Sequence, residues 1–126
     1  AALQIDNAKV CHEHNFDNRP WGSYRVLADE ESHKAKTITV LPGQQLSYQS
    51  HVRRSEHWVV VEGQAEVVLN EKVHVLGPGG YIFIPQGAKH RMRNSTGNKV
   101  VFLEVQTGTY FGEDDIVRYQ DDYKRT

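Results

Sequence analysis

The sequence has 126 residues, which is enough for one hydrophobic core and too few for two ordinary domains. Its 15 lysines and arginines nearly balance its 16 aspartates and glutamates, which argues against a nucleic-acid or membrane-surface binder. The one cysteine, Cys11, excludes an internal disulfide framework, and no apolar stretch approaches the roughly 18 to 20 residues of a membrane span.

The first residues are polar where a signal peptide would need an apolar region, as Asp6, Lys9 and Asp17 show. We therefore expect a cytoplasmic, reducing location. Residues 1–18 are predicted to form an N-terminal arm, and residues 19–126 a single barrel domain with a C-terminal segment. The tract CHEH at 11–14 resembles half of a metal-binding motif, but it has no second half, and we interpret it as arm sequence.

Short runs rich in β-forming residues follow the arm, and no segment shows sustained helical periodicity. The predicted strands are 23–27, 36–41, 46–49, 57–61, 65–69, 72–76, 81–84 and 100–105. Turn-forming residues such as Pro42-Gly43 and Asn70-Glu71 separate them. This spacing predicts an all-β sandwich or barrel. Residues 112–126 are too polar to enter a core, and the acidic run at 113–115 is expected to cap or anchor this last segment.

The stretch YQSHVRRSEHWVVVEG at 48–63 crowds polar groups at the start of an apolar strand. Gln49 and His51 are two residues apart and share one face of an extended strand, and Glu56 can return to that face after a bend at 52–55. Downstream, His90 follows a turn rich in Gly and Pro. Closing a barrel could bring these four side chains together, and their amide, imidazole and carboxylate groups form a plausible set of ligands for a divalent metal. The alternative is a hydrogen-bonded cluster in a metal-free barrel.

Two spaced motifs contain these residues: Gly43-x5-Gln49-x-His51-x4-Glu56-x6-Gly63 and Gly79-x5-Pro85-x-Gly87-x2-His90-x3-Asn94. They resemble the two consensus motifs of the cupin superfamily. The resemblance implies a single-domain double-stranded β-helix, or jelly roll, with Gln49, His51, Glu56 and His90 as metal ligands. The Gln-x-His pair, in place of the commoner His-x-His, is similar to the type II phosphomannose isomerase branch.

Four longer segments support that branch: residues 19–25, 42–67, 81–91 and 104–118. They resemble the isomerase domain that follows a mannose-1-phosphate guanylyltransferase. The resemblance implies a metal-dependent mannose-6-phosphate isomerase. Because 126 residues leave no room for the nucleotidyltransferase, we expect a stand-alone isomerase domain or a piece of a longer protein that does not itself make GDP-mannose.

Isomerisation of mannose 6-phosphate to fructose 6-phosphate moves a proton between C1 and C2 through an enediolate. A bound metal would stabilise the developing oxyanion, and a titratable group must carry the proton. Arg54 shares a face with Glu56 and is a candidate for binding a substrate oxyanion or phosphate. His57 is the second catalytic candidate, although it points to the opposite face if the strand has already begun. Lys36 and Arg118 are candidates for binding the phosphate.

Zinc is the expected ion, and manganese, iron, cobalt and nickel accept the same ligands. The expected partner is a small sugar phosphate, with no nucleic acid or membrane. The resemblance to the cupins also implies a homodimer formed through sheet edges. Two other functions stay open. One is a metal cupin of other chemistry, such as an oxygenase with redox-active iron, and the other is a sugar-phosphate-binding module without turnover.

Overall fold

The structure is a computed structural model and describes residues 15–120. These residues form eleven β-strands. In chain order they are β1 (Phe16–Arg19), β2 (Gly22–Asp29), β3 (His33–Val40), β4 (Tyr48–Ser50), β5 (Arg54–Glu62), β6 (Ala65–Leu69), β7 (Lys72–Leu76), β8 (Tyr81–Ile84), β9 (His90–Arg93), β10 (Val100–Gly108) and β11 (Val117–Gln120). Within residues 15–120, no helix is long and apolar enough to cross a membrane.

The strands make two antiparallel sheets, which confirms the all-β prediction. One sheet has six strands in the order β1-β2-β3-β10-β5-β8, and the other has five in the order β11-β4-β9-β6-β7. Strands that are neighbours in a sheet are often distant in the chain, as β10 between β3 and β5 illustrates. Because the chain passes repeatedly from one sheet to the other, β5 of the six-stranded sheet and β4 and β9 of the five-stranded sheet meet at one end of the barrel interior.

The core lies between the sheets and follows the alternation of each strand. Trp58 and Val60 of β5, Phe102 of β10 and Met92 of β9 are almost wholly buried. Towards one end of the molecule, the inward-facing residues of β5 and β10 are polar: Glu56 is 2% exposed and Glu104 is 5% exposed. Because a buried carboxylate is costly without partners, this polar end is where a site is expected.

The sequence prediction matches three strands residue for residue: β6, β7 and β8. The turn between β6 and β7 is a two-residue hairpin in which Asn70 and Glu71 both have positive φ angles, 48° and 71°. Strands β1, β9 and β11 were not predicted. Their sequences FDNR, HRMR and VRYQ lack an apolar run because each lies at a sheet edge or buries polar side chains.

The boundary of the predicted N-terminal arm needs correction. Residues 16–18 belong to β1, which pairs with β2 through a tight turn at Pro20-Trp21. The barrel therefore begins before residue 19. The rest of the predicted arm described by the structure is Asn15 alone, and residues 1–14, including the tract at 11–14, lie outside the described residues.

Candidate metal centre

Three buried side chains converge at the polar end of the barrel. His51 follows β4, Glu56 is the third residue of β5 and His90 begins β9, and one ligand atom from each lies within 4.8 Å of the others. Nε2 of His51 is 3.3 Å from Glu56 Oε2, and Nε2 of His90 is 3.8 Å from Glu56 Oε1. Each imidazole thus faces a different oxygen of one carboxylate, and the two ring centroids are 5.2 Å apart.

Backbone carbonyls orient both imidazole rings. Nδ1 of His51 donates to the carbonyl oxygen of Asp115 at 2.6 Å, and Nδ1 of His90 donates to that of Ala88 at 2.9 Å. With the proton on Nδ1, each ring presents the lone pair of Nε2 to Glu56. Burial lowers the pKa of both histidines and outweighs the attraction of Glu56. They are therefore neutral near pH 7, the form that binds a metal.

Glu56 is held in its charged form by its neighbours. Trp58 Nε1 donates to Oε1 at 2.9 Å, and Arg54 Nε donates to Oε2 at the same distance. Burial by itself would raise the pKa of Glu56, but Arg54 and the two histidines outweigh it and lower the pKa to about 2. A carboxylate with this pKa is ionised across the physiological range.

Gln49 lies beside the cluster of His51, Glu56 and His90. It lies on β4 directly opposite His90 on β9, and its half-buried side chain lines the cavity described below. Side chains of directly opposed residues in antiparallel strands are close neighbours. The structure thus brings all four sequence-predicted ligands to one place.

The donor set fits a divalent metal. It offers imidazole nitrogens and carboxylate and amide oxygens, which zinc and its neighbours in the first transition row accept. His90 Nε2 is buried and has no hydrogen-bond partner among residues 15–120, so it is oriented for a ligand that the protein alone does not supply. His51 Nε2 is engaged, since Arg54 Nη2 lies 3.1 Å away.

A cavity of about 540 Å³ opens onto this centre, a volume within the range of small-molecule sites. Its walls come from both sheets and from the turn after β1, where the buried indole of Trp21 lies. Four cations line it: Arg54 and Lys36 are buried in the six-stranded sheet, and Arg19 and Arg118 are exposed. Such a lining is suited to an anionic ligand.

A second carboxyl group, Glu104, lies in the cavity wall on β10. Its partners across the strands are Lys36 and Trp58, and Gln106 Nε2 donates to its Oε2 at 2.6 Å. Burial raises the pKa of Glu104, the charge of Glu56 adds to this, and Lys36 and Arg54 oppose it, so that the pKa reaches about 8. Near pH 7 this carboxyl is therefore mostly protonated while Glu56 is charged.

A segment after β10 crosses the mouth of the cavity. Glu113 places Oε2 3.2 Å from Lys36 Nζ and 3.7 Å from Arg54 Nη1, with its side chain 46% exposed. Burial would raise the pKa of Glu113, but Lys36 and Arg54 outweigh it and lower the pKa. A carboxylate of the protein therefore lies against two of the cavity's cations and offsets part of their positive charge.

The carboxylate of Asp115 anchors this segment. It accepts hydrogen bonds from the backbone N–H groups of Val52 and Arg53 at 3.1 and 2.9 Å. At the end of β10, Gly108 allows the backbone to lie close against Arg53. It has a φ of 149°, and a Cβ there would lie 2.2 Å from the carbonyl oxygen of Arg53. The acidic run therefore does anchor the segment, and Glu113 reaches the cavity in addition.

The other predicted site residues have mixed placements. Arg54 and Lys36 are buried in the cavity wall, and Arg118 lies exposed at its rim. His57 lies elsewhere: β5 begins at Arg54, so Arg54 and Glu56 point inward and His57 points out, where Nδ1 is 2.8 Å from the hydroxyl of Tyr81. The expectation that His57 is catalytic is therefore wrong for a site inside the barrel.

Sequence reasoning missed Glu104 and Glu113. Glu104 stands two residues after inward-facing Phe102 in the run VVFLEV, so strand alternation already placed a carboxyl group inside. For Glu113 the acidic run was visible, but no local pattern indicates that residue 113 reaches β3. Its contact with Lys36 spans 77 positions of the chain.

Comparison with known proteins links this geometry to a family. Residues 6–121 match the family described as Mannose-6-phosphate isomerase C-terminal. The mannose-1-phosphate guanylyltransferase ManC of Salmonella typhimurium is 44% identical over 98% of this chain, which corresponds to 26% of ManC. The chain thus spans about a quarter of the length of this relative.

Solved structures show the same fold. A sugar phosphate isomerase from a cupin superfamily, from Silicibacter pomeroyi, aligns with a TM-score of 0.65 and 21% identity, over 79% of this chain and 76% of that one. A Klebsiella pneumoniae protein with a double-stranded β-helix domain aligns with a TM-score of 0.68 and 21% identity, over 77% and 78%. The predicted cupin jelly roll is therefore confirmed.

Proposed function

The chain belongs to the mannose-6-phosphate isomerase C-terminal family, and we propose that it is a metal-dependent mannose-6-phosphate isomerase that interconverts mannose 6-phosphate and fructose 6-phosphate. The observation that carries the proposal is the buried cluster of His51, Glu56 and His90, of which Glu56 lines a cation-lined cavity. A relative named as a sugar phosphate isomerase shares the fold, which is consistent with this chemistry.

Gln49, His51, Glu56 and His90 would hold one divalent ion, with zinc as the first expectation and manganese, iron, cobalt or nickel as alternatives. Such an ion would supply Lewis-acid stabilisation of the negative charge that develops on substrate oxygen during isomerisation.

Arg54 and Lys36 supply fixed positive charge to the cavity. Arg54 is 4% exposed and Lys36 is 6% exposed, so their charges act in a poorly hydrated space. Arg54 lies beside the metal ligands, where it would bind an anionic oxygen of the sugar. Arg118 at the rim would bind the phosphate, together with Lys36 further in.

Glu104 is our candidate for carrying the proton. Gln106 Nε2 donates to Oε2, which leaves Oε1 to hold the proton of the neutral carboxyl. A pKa of about 8 lies near working pH, where a group can both take and return a proton. In its ionised form Glu104 would take the proton from C2 of mannose 6-phosphate and return it to C1, which restores the ionised carboxylate.

A second function has its own supporting observation. Arg54 Nη2 hydrogen-bonds to His51 Nε2, so Arg54 and Glu56 form a partnered cluster with His51 that does not require an ion. This favours a metal-free module that binds a sugar phosphate without converting it. The alternative of an oxygenase has no comparable support from the site.

The test is a coupled assay for fructose 6-phosphate formed from mannose 6-phosphate. It uses protein stripped of metal with a chelator, then the same protein after addition of zinc, manganese, cobalt, nickel or ferrous iron. Turnover that returns with metal supports the isomerase. Folded protein that binds mannose 6-phosphate but shows no turnover with any metal would replace it with the binding module.

A further inference from the structure

The cavity has a second end, away from the histidine cluster, where the turn between β1 and β2 forms part of its wall. Arg19 and Trp21 of this region line the cavity, as do Tyr24 of β2 and Lys36 of β3. Asp17 lies directly opposite Tyr24 in the pairing of β1 with β2, and Arg19 is two residues further along β1. Strand alternation therefore places Arg19 on the same face as the buried Tyr24. We call Arg19, Trp21, Tyr24 and Lys36 the distal subsite.

Tyr24 holds the two cations of the distal subsite beside its ring. Arg19 Cζ is 5.2 Å from the ring centroid, and Lys36 Nζ is 5.0 Å from it. Arg19 Nη2 also donates a hydrogen bond to the hydroxyl of Tyr24 at 3.4 Å. Because Tyr24 is buried, its ring is a fixed support, and the attraction between a cation and the π face keeps both charges near it. Two cations beside one ring suit a group with more than one negative charge, such as a phosphate monoester.

Arg19 can bind a ligand while it keeps its present contacts. Its Nη1 donates to Asp17 Oδ2 at 2.8 Å, and the two side chains are 38% and 32% exposed. A guanidinium carries five N–H donors, and among residues 15–120 the contacts with Asp17 and Tyr24 engage two of them. Asp17 also offsets part of the positive charge of Arg19, so its removal should make Arg19 a stronger anion binder.

Trp21 adds a neutral donor to the distal subsite. It is 6% exposed, and its Nε1 is buried with no hydrogen-bond acceptor among residues 15–120. A buried N–H group without an acceptor costs free energy, and most such groups in proteins have a partner. Since Trp21 lines the cavity, a ligand oxygen bound at this end can provide the acceptor.

We propose that the distal subsite binds the phosphate group of a sugar phosphate. Arg19 and Lys36 pair with the phosphate oxygens, and Trp21 Nε1 donates a hydrogen bond to one of them. This assignment rests on the proposed function and adds Arg19 and Trp21 to the phosphate site of Lys36 and Arg118.

The length of a hexose phosphate fits this placement. From C1 to phosphorus such a molecule spans roughly 8 Å, with bonds of about 1.5 Å. Glu113 Oε2 lies 3.7 Å from Arg54 Nη1 and 3.2 Å from Lys36 Nζ. A single carboxylate oxygen thus bridges the cation beside the histidine cluster and the cation of the distal subsite. C1 and C2 can therefore lie near Glu56 while the phosphate lies between Lys36 and Arg19.

The first experiment is calorimetric titration of inorganic phosphate into the metal-free full chain. In Arg19→Met we expect phosphate to bind roughly fivefold more weakly. Arg25→Met is the matched control and should bind phosphate as wild type does. Arg25 lies opposite Phe16 in the same strand pair, with Cζ 4.9 Å from the Phe16 ring centroid, and it is exposed outside the cavity lining. Circular dichroism spectra and melting curves verify that both variants fold.

Two further variants use the same titration. Trp21→Phe keeps an aromatic ring and removes the N–H donor, so phosphate should bind about threefold more weakly. Asp17→Asn removes the carboxylate that offsets Arg19, so phosphate should bind about twofold more tightly. A variant that misfolds cannot produce such a gain.

Steady-state kinetics on metal-loaded protein provide an independent readout. Because the phosphate is bound equally in the ground state and the transition state, Arg19→Met should raise the KM for mannose 6-phosphate roughly fivefold and leave kcat near wild type. A lower kcat at unchanged KM would contradict this role of Arg19.

Wild-type phosphate affinity in either Arg19→Met or Trp21→Phe would overturn the proposal, and so would an equal loss in Arg25→Met. Absence of phosphate binding to the wild-type chain would overturn it as well. The titrations need neither metal nor turnover. If they give the expected order but no metal restores turnover, the isomerase proposal fails and the phosphate subsite stands.

Discussion

Arg54 Nη2 and His51 Nε2 lie 3.1 Å apart, and that nitrogen is the one that faces Glu56. Because Nδ1 of the same ring donates to Asp115, Nε2 must accept the hydrogen bond from Arg54. A metal ion at this centre would need the same lone pair. Arg54 and the metal therefore compete for His51, and metal binding should displace the guanidinium towards the cavity.

Replacing Arg54 should strengthen metal binding. In Arg54→Met no hydrogen bond to His51 has to break and no fixed positive charge lies beside the ion, so we expect zinc to bind about tenfold more tightly. Competition titration against a coloured chelator measures this. Arg53→Met is the matched control, because Arg53 is exposed and lies over the Tyr110 ring. Weaker zinc binding by Arg54→Met would contradict the competition.

The two inward histidines should differ from the outward one in metal retention. His51→Ala and His90→Ala each remove a ligand nitrogen, and we expect metal affinity to fall at least roughly a hundredfold. His57→Ala should keep its metal, since that ring contacts Tyr81 and Phe83 on the solvent-facing side of the six-stranded sheet. Elemental analysis after gel filtration measures all three. Unchanged metal content in both inward variants would refute the ligand assignment.

Glu104→Gln should separate proton transfer from metal binding. The amide keeps the size of the side chain but cannot carry a proton, so we expect kcat to fall by about 10² to 10⁴ while metal content and KM stay near wild type. Steady-state kinetics on metal-loaded protein give both parameters. Glu66→Gln is the control, because Glu66 pairs with Arg93 outside the cavity. A Glu104→Gln enzyme with normal kcat would remove Glu104 from the mechanism.

The same variant should change the pH dependence of stability. The pKa of Glu104 is about 8 in the folded chain and 4.5 without the fold, so between these values the folded state binds more protons and stability falls as pH rises. The two histidines have lowered pKa values, so their effect is confined to pH below about 6.5. Between pH 7 and 8, metal-free wild type should lose up to about 1.4 kcal/mol per pH unit relative to Glu104→Gln. Urea unfolding at several pH values measures the difference, and parallel curves would contradict the raised pKa.

Glu113 should act as an internal competitor for anions. Its carboxylate lies against Lys36 and Arg54, so a phosphate that binds these cations must displace it. In Glu113→Gln we expect inorganic phosphate to bind roughly fivefold more tightly by calorimetry. Asp114→Asn removes a neighbouring charge and serves as control. If both variants bind phosphate as wild type does, Glu113 is not at the anion site.

Local patterns were sufficient for some parts of this molecule. Strands β6 to β8 were predicted residue for residue because their apolar runs end in strong turn residues. The ligand cluster was also predictable, since two spaced motifs place His51, Glu56 and His90 at strand ends that a jelly roll brings together.

Other parts depend on long-range pairing. The side of the sheet that His57 occupies depends on where β5 begins, and charged Arg54 gave no sign of being its first residue. Glu104 becomes a partner of Lys36 only because β10 pairs with β3, and this pairing is not visible locally. Glu113 reaches the cavity across 77 positions, so its role required the fold itself.

Asp115 fixes the order in which the centre can be completed. Its carbonyl oxygen orients the His51 ring, and its carboxylate holds the backbone at 52 and 53, all from more than 60 positions downstream. During synthesis the strands that bear Glu56 and His90 emerge before this clamp does. A growing chain therefore cannot orient His51 through Asp115 until residue 115 has left the ribosome, so we expect the proposed metal to be bound late in the maturation of the domain.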